Sequence, residues 1–270
     1  MIPEGEIRLR LTLQYDGTRY HGWQAQPNHA TVQGELERVI QRLTGRRRPV
    51  IGSGRTDRGV HAMGQVASVD LPSHWTAARF RRACNALLPE DIWLAATATA
   101  YPGFHPRYDA VARSYLYRIG VDEEAHSPFR LRYCWPLSAE LDADLVDRAT
   151  AALQGEHSFR SFAKSGQPER GDRCVIQSVG WSRDGGELLF RIRADRFLHH
   201  MVRYLVGTLI DIGRGRRPVD DMDALLGGSS DLITSPPAPA TGLFLDHVAY
   251  PGDSSIYDTE RLSIPQPSSD

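Results

Sequence analysis

Residues 7–15 read IRLRLTLQY, a stretch in which apolar and polar side chains alternate without interruption. The odd positions from Ile7 to Tyr15 are apolar or aromatic, whereas the even positions from Arg8 to Gln14 are polar. Since successive side chains of a strand point to opposite faces, this period of two predicts a half-buried strand. The chain is therefore expected to begin its fold with a sheet that has one buried face.

Downstream of this strand, the pattern changes to helical spacing. Thr31 is placed to cap a helix in which apolar side chains recur every three or four residues as far as Leu43. Further elements are predicted as a strand at 49–52, a strand at 60–70, a helix at 76–88 and a strand at 92–98. The order of the first 98 residues is thus β-α-β-β-α-β.

The rest of the chain is predicted to repeat this mixture of elements. The predictions are a strand at 112–119, a helix at 138–153, a hairpin of strands 175–182 and 187–193 around Asp184-Gly185-Gly186, helices at 200–212 and 219–226, and a strand at 243–250. We therefore predict an α+β protein of mostly antiparallel sheet, with halves at 1–106 and 107–250 and a Ser/Pro-rich flexible tail at 251–270.

Composition makes several classes of protein improbable. With 41% hydrophobic and 24% charged residues, the chain has an ordinary globular composition. Its three cysteines are far apart in sequence, which favours neither a disulfide framework nor a structural zinc site. No stretch reaches the roughly 18 uninterrupted apolar residues of a membrane span, and the N-terminus lacks an apolar signal segment. A cytoplasmic protein without membrane contact is expected.

The formal charge of −1 hides an asymmetry along the chain. Residues 1–120 carry 16 basic and 10 acidic side chains, whereas residues 214–270 carry 4 and 9. Lys164 is the only lysine, so nearly every cation is an arginine, a side chain suited to phosphate contacts. Genomic base composition explains the arginine enrichment equally well, and both explanations stay open.

Residues 52–61, GSGRTDRGVH, form the densest local signal in the sequence. Three glycines within eight residues permit a tight backbone and the close approach of a ligand. Asp57 lies between Arg55 and Arg58, and guanidinium charges favour the ionised carboxylate, which suits a nucleophile better than a general acid. A turn with a surface ion pair would show the same residues. The glycine spacing fits neither a P-loop nor a dinucleotide fingerprint.

Residues 54–66, GRTDRGVHAMGQV, closely resemble the active-site motif of the tRNA pseudouridine synthase A family. Four further segments resemble that family in the same order, and the resemblance spans about residues 7–250. These segments are 15–24 (YDGTRYHGWQ), 112–118 (ARSYLYR), 197–203 (FLHHMVR) and 238–243 (APATGL). The resemblance implies the pseudouridine synthase fold, in which two ferredoxin-like halves share a central antiparallel sheet with a cleft between them.

The resemblance also implies roles for single residues. Asp57 matches the catalytic aspartate, Tyr115 the tyrosine that contacts the target uracil, and Arg203 the basic partner of the aspartate. Arg55 matches the arginine that helps to keep the place of a flipped nucleotide. The chain departs from the family at Arg58, where a small residue is usual. Arg58 is also expected to bind the substrate, and its side chain bears on how RNA packs against the turn.

The implied activity is isomerisation of uridine to pseudouridine at positions 38 to 40 of the tRNA anticodon stem-loop, by a homodimer and without metal or organic cofactor. Detaching uracil from C1′ and rejoining it through C5 involves no net redox change. The carboxylate either attacks C1′ or abstracts the 2′ proton, and the sequence leaves both routes open. The family places Tyr115 to take the C5 proton.

Two functions from other classes remain as alternatives. A non-catalytic RNA-binding module would keep the arginines without needing Asp57. A metal-dependent hydrolase would use Asp57, His61 and His199. Against that alternative, His199 and His200 are expected to diverge by about 100° on a helix, so that they do not chelate one ion together.

Several other side chains are candidates for supporting roles. Arg203 is predicted to share a helix face with Gly207 and Asp211 and to reach a second charge, the alternative being a solvated face. Tyr20 and Trp23 are expected to buttress the site, touch RNA or pack in the core. A phosphate-binding footprint is expected among Arg8, Arg10, Arg19, Arg42, Arg46, Arg47, Arg48, Arg79, Arg81 and Arg82.

Overall fold

The computed structural model describes residues 4–164, 171–228 and 232–253. The described residues divide into two compact units, residues 4–111 with 244–253 and the described part of residues 112–243. The last strand thus belongs to the first unit, whereas the sequence places it in the second half. The predicted tail lies outside the described residues from position 254 onward.

The described residues form an α+β protein with the following elements. The strands are β1 (Glu6–Tyr15), β2 (Ile51–Gly52), β3 (His61–Pro72), β4 (Ile92–Thr99), β5 (Ala112–Gly120), β6 (Trp135–Pro136), β7 (Gly155–Ser158), β8 (Arg173–Asp184), β9 (Glu187–Ala194) and β10 (Leu243–Ala249). The α-helices are α1 (Val32–Thr44), α2 (Ala77–Asn85), α3 (Ala143–Ala151), α4 (Met201–Gly213) and α5 (Asp221–Leu226). Short 3₁₀ helices lie at Glu123–His126, Arg160–Phe162 and Ala240–Gly242.

The first unit is built on a sheet with β1 between β3 and β4, both antiparallel to it. Strand β2 pairs antiparallel with β3, and β10 runs parallel to β3. The alternation predicted for residues 7–15 is confirmed, because Leu9, Leu11 and Leu13 are fully buried. The predicted order β-α-β-β-α-β of the first 98 residues is confirmed as well.

The strands of the second unit pair antiparallel in the order β5-β9-β8-β7, and β6 pairs parallel with β5. The predicted hairpin is confirmed, since Asp184 faces Glu187 across a two-residue turn of Gly185 and Gly186. A Cβ on Gly186 would lie 1.6 Å from Asp122 Oδ2, so the carboxylate of Asp122 occupies the space that a side chain would need.

Helix caps explain where the predicted boundaries hold and where they are wrong. The side chain of Thr31 accepts from Gly34 N and caps α1, as expected. The helix predicted from residue 138 begins only at Ala143, because Asp142 is extended and its side chain accepts from Leu145 N. The helix predicted from residue 200 begins at Met201, because His200 has a left-handed φ of 66°.

None of the helices in the described part of the chain combines the length and the apolar character needed to cross a bilayer.

Candidate active site

The loop that carries Asp57 connects β2 to β3 and is tied to β3 by buried hydrogen bonds. Ser53 N donates to Val66 O over 2.7 Å, and Ser53 Oγ donates to Gln65 Oε1 over 2.7 Å. Gln65 is fully buried, and its Nε2 donates to Gly54 O over 3.1 Å. Because a buried amide is costly to leave unsatisfied, these bonds fix the loop before Asp57.

The segment after β1 lies directly against this loop. Trp23 N donates to Thr56 O over 3.1 Å, and Gly59 N donates to Tyr20 O over 3.3 Å. Gly22 has a φ of 86°, and a Cβ there would lie 2.4 Å from Thr56 O and 3.1 Å from the carbonyl carbon of Asp57. The backbone of residues 20–23 therefore brackets Asp57 at a distance that only glycine permits.

The side chain of Thr56 is held from the other side by β1. The hydroxyl of Tyr15 and Oγ1 of Thr56 are 2.8 Å apart and buried. Trp23 is 2% exposed with its ring 6.3 Å from that of Tyr15, so it packs in the core and buttresses the loop. Tyr20 is buried too, its hydroxyl donates to Asp91 Oδ1 over 2.5 Å, and burial together with this bond raises its pKa. The expectation of RNA contact thus loses support for both aromatics.

The two arginines that flank Asp57 are exposed and do not pair with it. Arg55 Nε donates to Gln24 Oε1 over 3.2 Å, and Gln24 Nε2 donates to Gln33 Oε1 over 2.8 Å. Arg58 forms no ion pair within the part of the chain that the structure describes. Among the described residues, the sequence alternative of a surface ion pair between Asp57 and a flanking arginine is therefore not formed.

His61 is a packing residue at the start of β3. It is 1% exposed, its Nδ1 accepts from Gly17 N over 3.1 Å, and its ring stacks on Phe244 at 4.7 Å between centroids. Asp16 Oδ1 lies 3.3 Å from the same nitrogen. His61 thus joins the two loops of the first unit.

In the second unit, Tyr115 lies on β5 opposite Ile192 of β9 and is half-buried. Its ring packs edge-on against Phe197, with 4.9 Å between centroids and 82° between planes. Tyr117, two residues along the same strand face, is fully buried and donates to Pro239 O over 2.7 Å. Burial raises the pKa of Tyr117 well above its ordinary value. The orientation of Tyr115 is thus set by its strand and by an aromatic neighbour.

Arg203 lies on α4 under a covering segment. Its Nε donates to Ala238 O over 2.7 Å, and Ala238 N donates to Arg203 O over 2.9 Å. A Cβ on Gly207 would lie 2.1 Å from Pro236 O, so the glycine admits this segment to the helix face. The alternative of a solvated helix face is therefore wrong, and Arg203 is half-buried.

The expectation that His199 and His200 diverge on a helix is also wrong. Both residues precede the first residue of α4, and the left-handed backbone of His200 brings the two rings to 4.2 Å between centroids. The helical argument against joint chelation accordingly does not apply to this pair.

The five segments quoted from the sequence fall into two groups in space. Residues 15–24 bracket the loop in 54–66 within the first unit. Residues 112–118, 197–203 and 238–243 meet within the second unit, through the contacts of Tyr115 and Arg203 and through a close approach of Gly242 to Tyr117. Sequence reasoning missed Tyr15, Thr56 and Gly22 as supports of Asp57, although the glycines between aromatic residues signalled a close backbone approach.

The chain is similar to proteins of one known family. The family model described as tRNA pseudouridine synthase matches residues 12–109 and 149–251. Over 244 residues the chain is 42% identical to the tRNA pseudouridine synthase A of Moorella thermoacetica, covering 90% of this chain and 99% of that one. It is 40% identical over 246 residues to that of Solibacter usitatus (90% and 99%) and 38% identical over 247 residues to that of Syntrophomonas wolfei subsp. wolfei (92% and 99%).

These matches place the chain among the pseudouridine synthases, enzymes that isomerise uridine to pseudouridine. Within that class, it belongs to the tRNA pseudouridine synthase A family.

Proposed function

We propose that this chain converts uridines at positions 38 to 40 of the tRNA anticodon stem-loop to pseudouridine, with Asp57 as the reacting carboxylate. One observation carries the assignment to Asp57: its loop is fixed by buried bonds to β3, to Tyr15 and to residues 20–23. Such fixation is what positioning a catalytic group requires. The choice of uridines rests on the resemblance of residues 54–66 to the family motif.

The proposed chemistry is a balanced isomerisation. The N1–C1′ bond breaks, a C5–C1′ bond forms, the C5 proton is removed and N1 ends protonated. Asp57 either adds to C1′ and later leaves, or abstracts the 2′ proton and later returns it. Tyr115 contacts the uracil and takes the C5 proton, Arg203 supports the charge of the aspartate, and Arg55 keeps the place of the flipped nucleotide.

We also propose an oligomeric state and a cellular location for the enzyme. By family resemblance the enzyme is a cytoplasmic homodimer, and one tRNA touches both protomers. No metal or organic cofactor has a role in the balanced reaction.

The decisive experiment compares Asp57→Asn with a matched control, Glu90→Gln, on unmodified tRNA transcripts. Glu90 is an exposed carboxylate of the same unit, so its loss removes the same charge outside the loop. Pseudouridine is mapped by carbodiimide adducts. We expect product at positions 38 to 40 from the wild type and the control, and a rate at least about 10³-fold lower from Asp57→Asn, with tRNA binding retained.

Three results would contradict the proposal. Full activity in Asp57→Ala would remove the carboxylate from the mechanism. A wild-type protein that binds tRNA without forming product would be an RNA-binding module. Loss of activity in EDTA would favour the metal-dependent hydrolase, since the proposed isomerisation uses no metal.

A further inference from the structure

A cluster of one arginine and two histidines lies beside Asp57, and none of the roles above uses it as a unit. It consists of His21, His29 and Arg58, which we call the cationic cluster. The two backbone bonds that join residues 20–23 to residues 56–59 place His21 opposite Asp57 and Arg58. All three residues belong to the first unit.

The backbone holds the two histidines together. His21 N donates to Ala30 O over 2.8 Å, and an isolated antiparallel bridge joins Gln26 to His29. The two rings consequently stack at 4.2 Å between centroids, with 29° between their planes. The cluster is therefore formed before any ligand arrives, which lowers the entropic cost of binding.

The electrostatics of the cluster are unbalanced. Burial and the positive charges of His29 and Arg58 lower the pKa of His21 below its ordinary value. Arg58 is exposed and forms no ion pair across residues 4–164, 171–228 and 232–253. In the same ranges, His21 Nδ1 is buried and finds no hydrogen-bond partner, which leaves Nε2 as the accessible nitrogen of that ring. The permanent charge of Arg58, beside two imidazole rings that offer N–H donors, is suited to an anion.

We propose that the cationic cluster binds a backbone phosphate of the RNA, next to the nucleotide on which Asp57 acts. This inference rests on the proposed function, since it takes the substrate to be RNA. An arginine fork and imidazole N–H groups match the oxygens of a phosphodiester, whereas a metal cation would be repelled. Arg58 follows Asp57 directly, so a phosphate held there fixes the sugar-phosphate backbone close to the reacting sugar.

Arg58 is the position at which this chain departs from the family pattern. The resemblance to the family leads one to expect a small residue after the aspartate, and here that position carries an exposed guanidinium. In this chain, His21 lies opposite Arg58 and stacks on His29. The phosphate contact is therefore a property of this combination of residues.

The first test measures tRNA affinity against salt for Arg58→Gln and His29→Phe. The phenylalanine keeps a ring on His21 and removes the imidazole N–H. We expect Arg58→Gln to weaken binding about 3- to 10-fold, and to reduce the slope of log K against log salt by about 1, the signature of one lost phosphate contact. His29→Phe should weaken binding in the same direction and by less.

The matched control is Arg38→Gln. Arg38 is an exposed arginine on α1 in the same unit, with its guanidinium on Glu35. Its loss removes the same charge outside the cluster, and we expect an unchanged salt slope. Melting temperatures equal to that of the wild type show that the exposed substitutions leave the fold intact. Equal slopes for Arg58→Gln and Arg38→Gln would overturn the proposal.

The second test locates the phosphate. Single methylphosphonate linkages, which carry no charge, are scanned across the nucleotides on either side of the target uridine in a stem-loop RNA. We expect one linkage at which the replacement weakens binding by the wild type but adds nothing in Arg58→Gln. KM should rise more than kcat falls in that variant. Effects that add at every linkage would contradict a direct contact.

Two further outcomes distinguish a failure of this proposal from a failure of the proposed function. If inorganic phosphate raises the melting temperature of the wild type but not of Arg58→Gln, and no linkage couples to Arg58, the cluster is a free-anion site and the RNA assignment fails. If the wild type forms no pseudouridine while one linkage still couples to Arg58, the phosphate site stands and the proposed function fails.

Discussion

At the scale of single residues, the position of Asp57 depends on side chains that do no chemistry themselves. The Tyr15 hydroxyl holds Thr56, and Gly22 lets the opposing backbone approach both Thr56 and Asp57. The sequence predicts Asp57 from a local motif, but it cannot show that residues 34 or more positions away set the place of that motif. Those contacts exist only once the β1 segment and the β2–β3 loop have folded together.

Gly22→Ala should therefore reduce turnover more than it reduces stability. The new Cβ would lie 2.4 Å from Thr56 O, which pushes the Asp57 loop away from its place. Because a misplacement of about 1 Å can cost about 10²-fold in rate, we expect kcat to fall by about that factor with tRNA binding retained. The measurement is single-turnover pseudouridine formation at saturating enzyme.

Gly45→Ala provides the control for this prediction. Gly45 also has a positive φ, 72°, at the end of α1, but a Cβ there meets open space. Its substitution brings the same kind of backbone strain without a clash, so the melting temperature should fall while kcat stays within about twofold. Equal losses of kcat in the two variants would show that the close approach of Gly22 is not what positions Asp57.

At the scale of elements, the sequence correctly predicted those helices, strands and turns that depend on local sequence patterns. The alternation of β1, the cap of α1 and the Gly-Gly hairpin turn all arise from neighbours in sequence, and all were confirmed. Strand β7 reads GEHS and has no apolar alternation, so only its pairing with β8 makes it a strand. The predicted start of α3 was wrong, because the Asp142 side chain caps the helix later in the chain than the spacing of apolar residues indicated.

The Asp122 contact shows how one carboxylate stabilises two elements. Its side chain accepts from Ala125 N at the 3₁₀ helix of residues 123–126 and from the Arg130 guanidinium, which lowers the pKa of Asp122 below its ordinary value. It also lies against Gly186 in the hairpin turn. Asp122 therefore links the turn of one hairpin to the segment that follows β5.

We expect Asp122→Asn to lower the melting temperature at pH 7 and to lower it less near pH 3. A carboxyl whose pKa is lower in the folded state stabilises the fold above its unfolded value, and this stabilisation is lost as pH falls through the folded value. Thermal unfolding at both pH values measures the difference. Asp184→Asn, an exposed position in the same hairpin, is the control, and a deficit at pH 3 as large as at pH 7 would contradict the prediction.

At the scale of the whole molecule, folding redistributes the charges that the sequence separates. Residues 1–120 carry a net +6, but the first unit holds 14 basic against 12 acidic side chains, a net of +2. Part of the reason is that β10 and the turn after it bring Asp246 and Asp253 into this unit, where Asp253 accepts from Arg10 over 3.2 Å. A parallel pairing between residues about 180 positions apart cannot be predicted from local sequence patterns. The net charge that RNA would meet therefore has to be counted over the folded unit and not over a continuous stretch of sequence.

The arginines after α1 show what this means for RNA binding. The expected footprint treats Arg46, Arg47 and Arg48 alike, but the structure separates them. The Arg48 side chain is only 11% exposed and donates to Glu6 Oε1 and to Asp70 O, each over 2.8 Å. Arg46 is exposed, and the side chain of Arg47 is 79% exposed. Arg48 is thus a structural residue, and the other two remain candidates for phosphate contact.

Charge reversal should divide the three arginines in the same way. Arg46→Glu with Arg47→Glu is expected to weaken tRNA binding about tenfold and to reduce the salt slope by about 2. Arg48→Glu should lower the melting temperature, because it sets a carboxylate against Glu6 in a poorly solvated place. Charge reversal of the exposed Asp220 and Asp223, in the acidic residues 214–270, is the control for net charge. If that reversal changes tRNA affinity as much as the Arg46 and Arg47 pair does, the arginine enrichment reflects composition, and binding follows total charge.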